Sequence, residues 1–211
     1  KYLKNFDEHF LWGPFMRSWM EDMLRRKTFN ARLTNIGNPR IDYDKNKVSS
    51  KNKDAKIFSL GYAPSWDKGL SLEIFGLDII KAIVSIENSY SYIRLHPCSR
   101  PTQTKSHNYP NGENWQKKID DMCSKNLEFS HNISTLGYLS KLDLLITDVS
   151  SISFDAFLLD IPVIFFHTDE FWINYGKSIY KDFLLGDKVI NFEKNLYMNG
   201  GRTAGNIVSN V

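Results

Sequence analysis

Cysteine is scarce in this chain of 211 residues, with two in all, at Cys98 and Cys123. Two are too few for a disulfide framework, and neither sits in a CxxC or metal-ligand spacing. A reducing, cytosolic setting is the default for such a chain. Long hydrophobic runs are missing too: none approaches the roughly 18–20 apolar residues that span a bilayer. The opening KYLKNFDEHF lacks an initiator methionine and the layout of a signal peptide, a basic end, an apolar stretch and a small-residue cleavage site. The final GGRTAGNIVSNV reads as an open end, so the sequence reads as a piece of a longer protein. Charge of one sign is also modest: a net +3 does not call for nucleic acid as a partner. Internal repeats and low-complexity segments are absent, and no residue pattern calls for a metal or another cofactor.

What is present is the composition of a globular domain, 42% hydrophobic, 24% charged and 14% aromatic, long enough to bury a sizeable core. The charge is unevenly placed. Residues 1–60 hold 13 Lys/Arg against 7 Asp/Glu, net +6, which leaves 14 against 17, net −3, for the rest. Two readings of that basic stretch stay open, an ordinary lysine-bearing surface or a face for anionic lipid or an anionic polymer.

Hydrophobic period and punctuation predict strands alternating with helices. A strand over His9–Gly13 leads to a helix over Pro14–Arg26 with proline in its first turn. Arg32–Ile36 runs into a loop at Gly37-Asn38-Pro39-Arg40, and the lysine-rich Asp42–Lys56 reads as a linker or surface loop. Then follow a strand at Lys56–Ala63, a helix at Ser71–Glu87, a strand at Tyr90–Leu95 and a polar loop at Pro101–Gly112. The helix rests on Leu72, Phe75, Ile79, Ile83 and Ile86, which recur at steps of three and four. Glu113–Ser124 suits a helix and Leu127–Ser130 a short strand. Ser134 is an N-cap for a helix ending about Lys141. Leu142–Thr147 and Pro162–Phe166 are apolar runs of strand length, as expected of strands buried on both faces. A helix at Ser150–Leu159 lies between them, Phe171–Leu185 is an aromatic-rich helix or loop, and the stretch after Arg202 tends to helix. The pattern predicts an α/β fold: a Rossmann-like, mostly parallel sheet with helices on both faces.

Ligands of such sheets bind beyond the carboxyl ends of the strands. Four polar clusters stand there: Pro64-Ser65-Trp66, His96-Pro97, His131-Asn132 and Thr147-Asp148-Val149-Ser150-Ser151. In the last, a buried strand leads into a helix whose free N–H groups suit a phosphate or diphosphate, and Ser150 and Ser151 add hydroxyls. Asp155 falls one turn later on the face of Ser151, where a carboxylate reaches ribose hydroxyls; a plain N-cap and a surface Asp are the alternative. His96, flanked by Arg94, is the sharpest candidate for catalysis, as a donor that stabilises charge on a diphosphate or a departing nucleotide; a structural histidine hydrogen-bonded to neighbouring backbone is the alternative. His131 divides between contacting the nucleotide base and an ordinary loop histidine. Ser65 and Trp66 divide between a phosphate hydroxyl with a ring beside the transferred group and a turn serine with a core tryptophan. His107 and His167 read as structural and the aromatics of Phe171–Phe183 as core.

Leu144 to Phe166, LLITDVSSISFDAFLLDIPVIFF, resembles the signature of the CDP-glycerol glycerophosphotransferase family, which builds teichoic-acid-type polymers. The family pattern is an apolar strand, T-D-Y-S-S, a helix with an Asp, and a Pro-led apolar strand; Val149 replaces the usual tyrosine. The order of shorter pieces agrees. Gly37-Asn38-Pro39-Arg40-Ile41-Asp42 resembles a G-x-P-R-x-D segment, Tyr62-Ala63-Pro64-Ser65-Trp66 resembles Y-A-P-T-W, and Arg94-Leu95-His96-Pro97 resembles K-L-H-P. Asp169-Glu170-Phe171 to Tyr180-Lys181-Asp182 is similar to a D-x-E-x-Y and Y-x-D stretch, so the likeness spans roughly residues 9–205.

The resemblance implies a GT-B architecture of two facing Rossmann-like domains. Residues 1–40 would be the tail of the N-terminal, acceptor-side domain, and 41–211 the C-terminal domain that binds the nucleotide donor. It implies transfer of a glycerol phosphate or similar polyol phosphate from a CDP-activated donor to a lipid-linked or anionic polymer acceptor in cell-wall or capsule synthesis. Donor binding falls to Pro64, Ser65, Trp66, Arg94, His96, His131, Thr147, Asp148, Ser150, Ser151 and Asp155, with His96 catalytic and no metal. The general base falls to the other domain, and Arg202, where the family carries a basic or small polar residue before its last helix, is implied as a further phosphate contact. The expected place is the cytoplasm, with peripheral contact at the inner face of the cell membrane as an alternative. Other readings of the same residues are a nucleotide-sugar GT-B glycosyltransferase, a UDP-GlcNAc 2-epimerase-like enzyme, disfavoured by Ser150-Ser151 at the turn, and a non-catalytic scaffold domain.

Overall fold

The computed structural model describes residues 5–27, 30–45, 57–66, 68–100, 114–122, 125–171 and 206–208. The chain divides into two compact units, Lys1–Lys47 and Val48–Val211.

The first unit is a βαβ element followed by a short helix. Strand β1 (Glu8–Leu11) and strand β2 (Arg32–Asn35) pair in parallel, joined by helix α1 (Pro14–Lys27). Leu11 and Met20 are buried between them with Met16 and Leu33 packed against the pair. Helix α2 (Pro39–Lys45) stands where the sequence suggested a loop running into a linker. Pro39 at its start has no N–H to leave unpaired, and Asp42 complements the positive end of the helix; these two local signals outweigh the polar composition. Residues 46–56, the remainder of the expected linker, lie outside the described residues.

The second unit is a parallel sheet. Its elements are β3 (Phe58–Ala63), α3 (Ser71–Phe75), α4 (Leu77–Val84), β4 (Ser89–Ile93), α5 (Trp115–Asp120) and β5 (Leu127–Phe129), then α6 (Thr135–Leu139), β6 (Leu144–Thr147), α7 (Ile152–Leu158), β7 (Val163–Phe166) and β8 (Asn206–Val208). The six strands lie in the order β5-β4-β3-β6-β7-β8, with every pair parallel. Counted from the first strand of the unit this is 3-2-1-4-5-6, the order of a Rossmann fold, so the α/β expectation holds.

Alternation along β3 separates the two faces. Leu60 and Tyr62 join Leu72 of α3, Ile79, Ile80 and Ile83 of α4, and Trp115 and Ile119 of α5 in one core. Gly61 points the other way, toward Tyr138 of α6 and Leu142. On β7 the same division holds: Phe166 packs on Phe75 of α3, with ring centroids 5.4 Å apart, and Phe165 on Phe157 of α7, at 6.3 Å. Helices therefore cover both faces, which explains why β6 reads as a continuous apolar run.

Two elements differ from expectation. The helix expected over Ser71–Glu87 is broken at Gly76, whose φ of +55° is open to glycine but strained for other residues. The break turns α4 so that Ile79, Ile80 and Ile83 reach the core, while Ile86 is left 46% exposed. After Arg202 the described residues form strand β8 rather than a helix, with Ile207 opposite Phe165 and the His167 N–H donating to the Val208 carbonyl at 2.6 Å. The free backbone edge of β7 supplies a partner that no local periodicity encodes. The predicted Ser134 cap is present, its hydroxyl accepting from the Gly137 N–H at 3.0 Å. Among the described residues no helix is long and apolar enough to cross a membrane.

Candidate functional site at the carboxyl edge of the sheet

The parallel register brings the ends of four strands to one edge. Tyr62 lies opposite Ile93, and Ile93 opposite Phe129; Ala63 lies opposite Thr147. The clusters that follow, Pro64-Ser65-Trp66, Arg94 to Arg100, Ser130-His131 and Asp148 to Ser151, are thus neighbours along that edge. The topological switch falls between β3 and β6, where a crevice forms in sheets of this order.

At the switch, two predicted residues hold the strand ends. The Thr147 hydroxyl, fully buried, donates to the Ala63 carbonyl at 2.7 Å. Asp148, also fully buried, accepts the Ser65 N–H at 3.1 Å. These bonds set the path of Pro64-Ser65-Trp66, so Thr147 and Asp148 shape the crevice by positioning β3's exit. Asp148 also bears on Tyr62, whose hydroxyl pKa is raised well above its usual value, chiefly by burial and then by that carboxylate, with the 2.7 Å bond to Ser71 opposing. The β3–α3 loop contains no G-x-G-x-x-G; its single glycine, Gly69, has a φ of +76°, and a side chain there would meet the Phe171 backbone nitrogen at 2.7 Å. Thr168, beyond β7, hydrogen-bonds the Gly69 carbonyl, so this loop is clasped by the exit of β7.

Beyond β6 the expected helix is shorter than predicted. It starts at Ile152 and spans seven residues, with Ser151 as an N-cap in helical conformation whose side chain makes no capping bond. Ser151 is exposed, and the Ser150 carbonyl accepts from the Ser153 hydroxyl at 2.7 Å. Asp155 is only 7% exposed, so the carboxylate sits within the fold rather than on the surface. A helix of two turns carries a weak end-charge, so attraction for an anion must come mainly from side chains.

Those side chains stand at the ends of β4 and β5. His96 lies against Trp66, with the two rings stacked at 29° and 6.1 Å between centroids. Its Nδ1 accepts the Cys98 N–H at 3.1 Å within a 3-10 turn over Pro97–Ser99. A nitrogen that accepts carries no proton, so the neutral ring holds its proton on Nε2 and presents it as a donor. Burial, and then the positive Arg100, lower the His96 pKa, which keeps the ring neutral. Arg94 is anchored: its Nη1 donates to the carbonyls of Ser130 at 2.8 Å and Ile133 at 2.9 Å. The guanidinium thereby ties β4 to the loop before α6, and lies over the Tyr138 ring at 5.7 Å.

His131 sits edge-on to Phe129, with both ring nitrogens buried and lacking a hydrogen-bond partner. Burial first, then Arg100 and Arg94, push its pKa down to about 3. Arg100 is the group that sequence reasoning missed. Its charge bears on Arg94, His96 and His131 alike. The 3-10 turn that folds it back toward His96 has no periodic signature; the only sequence signal was a basic residue four positions after a strand-end histidine.

No model of a known protein family matches this chain, and no curated protein does. The chemistry must therefore be read from the edge itself. It offers a neutral N–H donor on an aromatic shelf, two guanidiniums and an exposed hydroxyl at Ser151. No carboxylate among the described residues figures in the charges acting on His96 or His131. Among the described residues no cluster of three or more His, Cys, Asp or Glu could hold a metal ion. Cys98 is a free thiol. His167 lies elsewhere, its Nε2 2.9 Å from Asp169, while Cys123, His107, Arg202 and residues 172–183 lie outside the described residues.

Proposed function

We propose that the Val48–Val211 unit is the donor-binding half of a GT-B-type transferase of the CDP-glycerol glycerophosphotransferase kind. In this reading it handles a CDP-activated polyol whose phosphate is passed to a surface-polymer acceptor. The observation that carries the reading is the Trp66–His96 pair at the carboxyl edge of a sheet in Rossmann order, with the Nε2 proton of His96 available as a donor.

An acceptor hydroxyl oxygen bonds to the donor's β-phosphorus as the bond from that phosphorus to the α–β bridging oxygen breaks. The electron pair leaves with CMP, and the hydroxyl proton goes to a base outside this unit. Positioning and charge stabilisation dominate such a transfer. A neutral imidazole N–H meets the charge that grows on the leaving phosphate without repelling a cationic neighbour. Trp66 supplies a flat apolar wall for a base or polyol, and Ser65 and Ser151 supply hydroxyls. The Lys1–Lys47 unit belongs, on this reading, to the acceptor side.

Calorimetry of the chain against CDP-glycerol, CDP-ribitol, UDP-sugars and GDP-sugars tests the assignment. Saturable binding of a CDP-polyol, weakened about tenfold or more by Trp66→Ala and by His96→Ala, is the expected outcome. Binding of UDP-sugars alone would overturn it in favour of a glycosyltransferase. Binding of no nucleotide by a folded chain would favour a scaffold.

A further inference from the structure

Among the described residues, four buried side-chain N or O atoms without a hydrogen-bond partner belong to Ser99, Arg100 and His131. Buried polar groups are nearly always paired, so a local concentration of unpaired ones marks a place completed by something else. Ser99 is 1% exposed and adjoins Arg100 in the chain, and the Arg100 charge acts on His131; the Ser99 hydroxyl, the Arg100 Nε–H and one nitrogen of the neutral His131 ring are donors. These residues stand beyond the exits of β4 and β5.

We propose that Arg100, with His131 and Ser99, forms a subsite for a phosphate-class dianion, and that this subsite takes the diphosphate of the nucleotide donor. The assignment of the guest to a donor diphosphate rests on the function proposed above; the anion subsite itself does not.

Charge selects the guest. Burial lowers the pKa of Arg94, His96 and His131 first, and the Arg100 charge lowers each of them further. The acid on β5, Glu128, is already bound by Lys141 at 2.8 Å and by the Ser130 hydroxyl at 3.1 Å. Asp148 is turned to the Ser65 N–H. A metal ion would meet two guanidiniums, and a neutral guest would bring no charge opposite to that of Arg100. A dianion satisfies the arginine, the buried hydroxyl and an imidazole N–H together. Arg94 has a different part: with Nη1 held by two carbonyls it fixes the β5–α6 loop that carries His131, and so acts as a positioning residue.

The test uses the chain with inorganic pyrophosphate and, separately, CDP-glycerol, followed by calorimetry and by the ring nitrogen resonances of the histidines. Pyrophosphate should bind once per chain and move the His131 resonances. Arg100→Gln should weaken both ligands tenfold or more, and Arg100→Lys should recover part of that loss. Removing one of several like charges should also leave Tm unchanged or raised, a result that a packing role would not produce. A lowered Tm or a failure to fold in Arg100→Gln assigns the side chain to packing and overturns the proposal. So does pyrophosphate that fails to bind, or that binds Arg100→Gln as it binds the parent. If pyrophosphate binds through Arg100 while no CDP compound binds, the subsite stands and the transferase reading falls. If CDP-glycerol binds the parent and Arg100→Gln alike, the transferase reading stands and the subsite falls.

Discussion

Gly61 has no room for a single methyl group, and Gly61→Ala measures how tightly α6 is set on the sheet. The residue lies mid-strand in β3, opposite Tyr92 of β4 and Leu145 of β6. A β-carbon there would stand 2.2 Å from Leu142 Cδ1, 2.7 Å from the Tyr138 hydroxyl and 3.0 Å from Leu142 Cδ2. Favourable carbon contacts begin near 3.5 Å, at about the well minimum, so both side chains must retreat. Neither has free space: Leu142 is 5% exposed and Tyr138 fully buried, its hydroxyl donating to the Tyr92 carbonyl at 3.2 Å. Overpacking costs about 1–3 kcal/mol and a strained hydrogen bond about 1 more. Removing glycine's chain entropy returns roughly 0.5–1 kcal/mol, which leaves a net loss of about 1–3.5 kcal/mol. With a slope of about 2 kcal/mol/M, urea unfolding followed by circular dichroism should show the midpoint lowered by about 1 M. Leu142→Ala vacates the clashing volume, so the double variant should be more stable than the two single losses predict, with a coupling above about 0.5 kcal/mol. An unchanged midpoint for Gly61→Ala, or strictly additive losses, would refute the packing argument.

Three other outcomes follow from the site. Thr147→Val keeps shape but deletes the 2.7 Å bond to the Ala63 carbonyl; it should cost about 1–2 kcal/mol in urea unfolding, and an unchanged midpoint would show that the bond does not hold β6 to β3. His131 has a folded pKa of about 3 against an ordinary 6.5, so between those values the unfolded chain takes up a proton that the folded chain refuses. Its contribution is therefore complete above about pH 6.5 and lost as pH falls toward 3; His131→Gln should flatten the acid limb of the stability–pH curve, and an equally steep limb contradicts the burial argument. Because a protonated imidazole quenches a stacked indole, Trp66 emission should fall on acidification with a midpoint below 6.5, the direction in which burial and Arg100 move His96. A midpoint at or above 6.5, or a transition that survives Trp66→Phe, would mean that the two rings do not meet.

The strand-end clusters were legible because parallel strands of similar length must end on the same edge, and each cluster follows an apolar run. The capping serine of α6 was legible for a related reason, since a hydroxyl three residues before an orphan N–H satisfies it locally. Gly76 was not, because the three- and four-residue spacing of Leu72, Phe75, Ile79 and Ile83 continues through it unbroken. Strand β8 was hidden too, since three residues form a strand only when an edge such as β7 accepts them. Pro39 and Asp42 carried a helix start in plain view, but the polar residues around them favoured a loop reading.

Sequence by itself determined the alternation of strands and helices and the set of polar residues at the strand exits. Those follow from side-chain periods of two and 3.6 and from the needs of nearby backbone groups, all of which act within a few residues. Tertiary structure decided how those polar residues are employed. Thr147 and Asp148 hold the exit of β3, Arg94 is bound to two carbonyls of the β5–α6 loop, and Trp66 meets His96. Arg100, with no pattern to mark it, became the charge that three other groups feel. Burial and pairing across the sheet set these roles, and both depend on which distant segments the loops bring together.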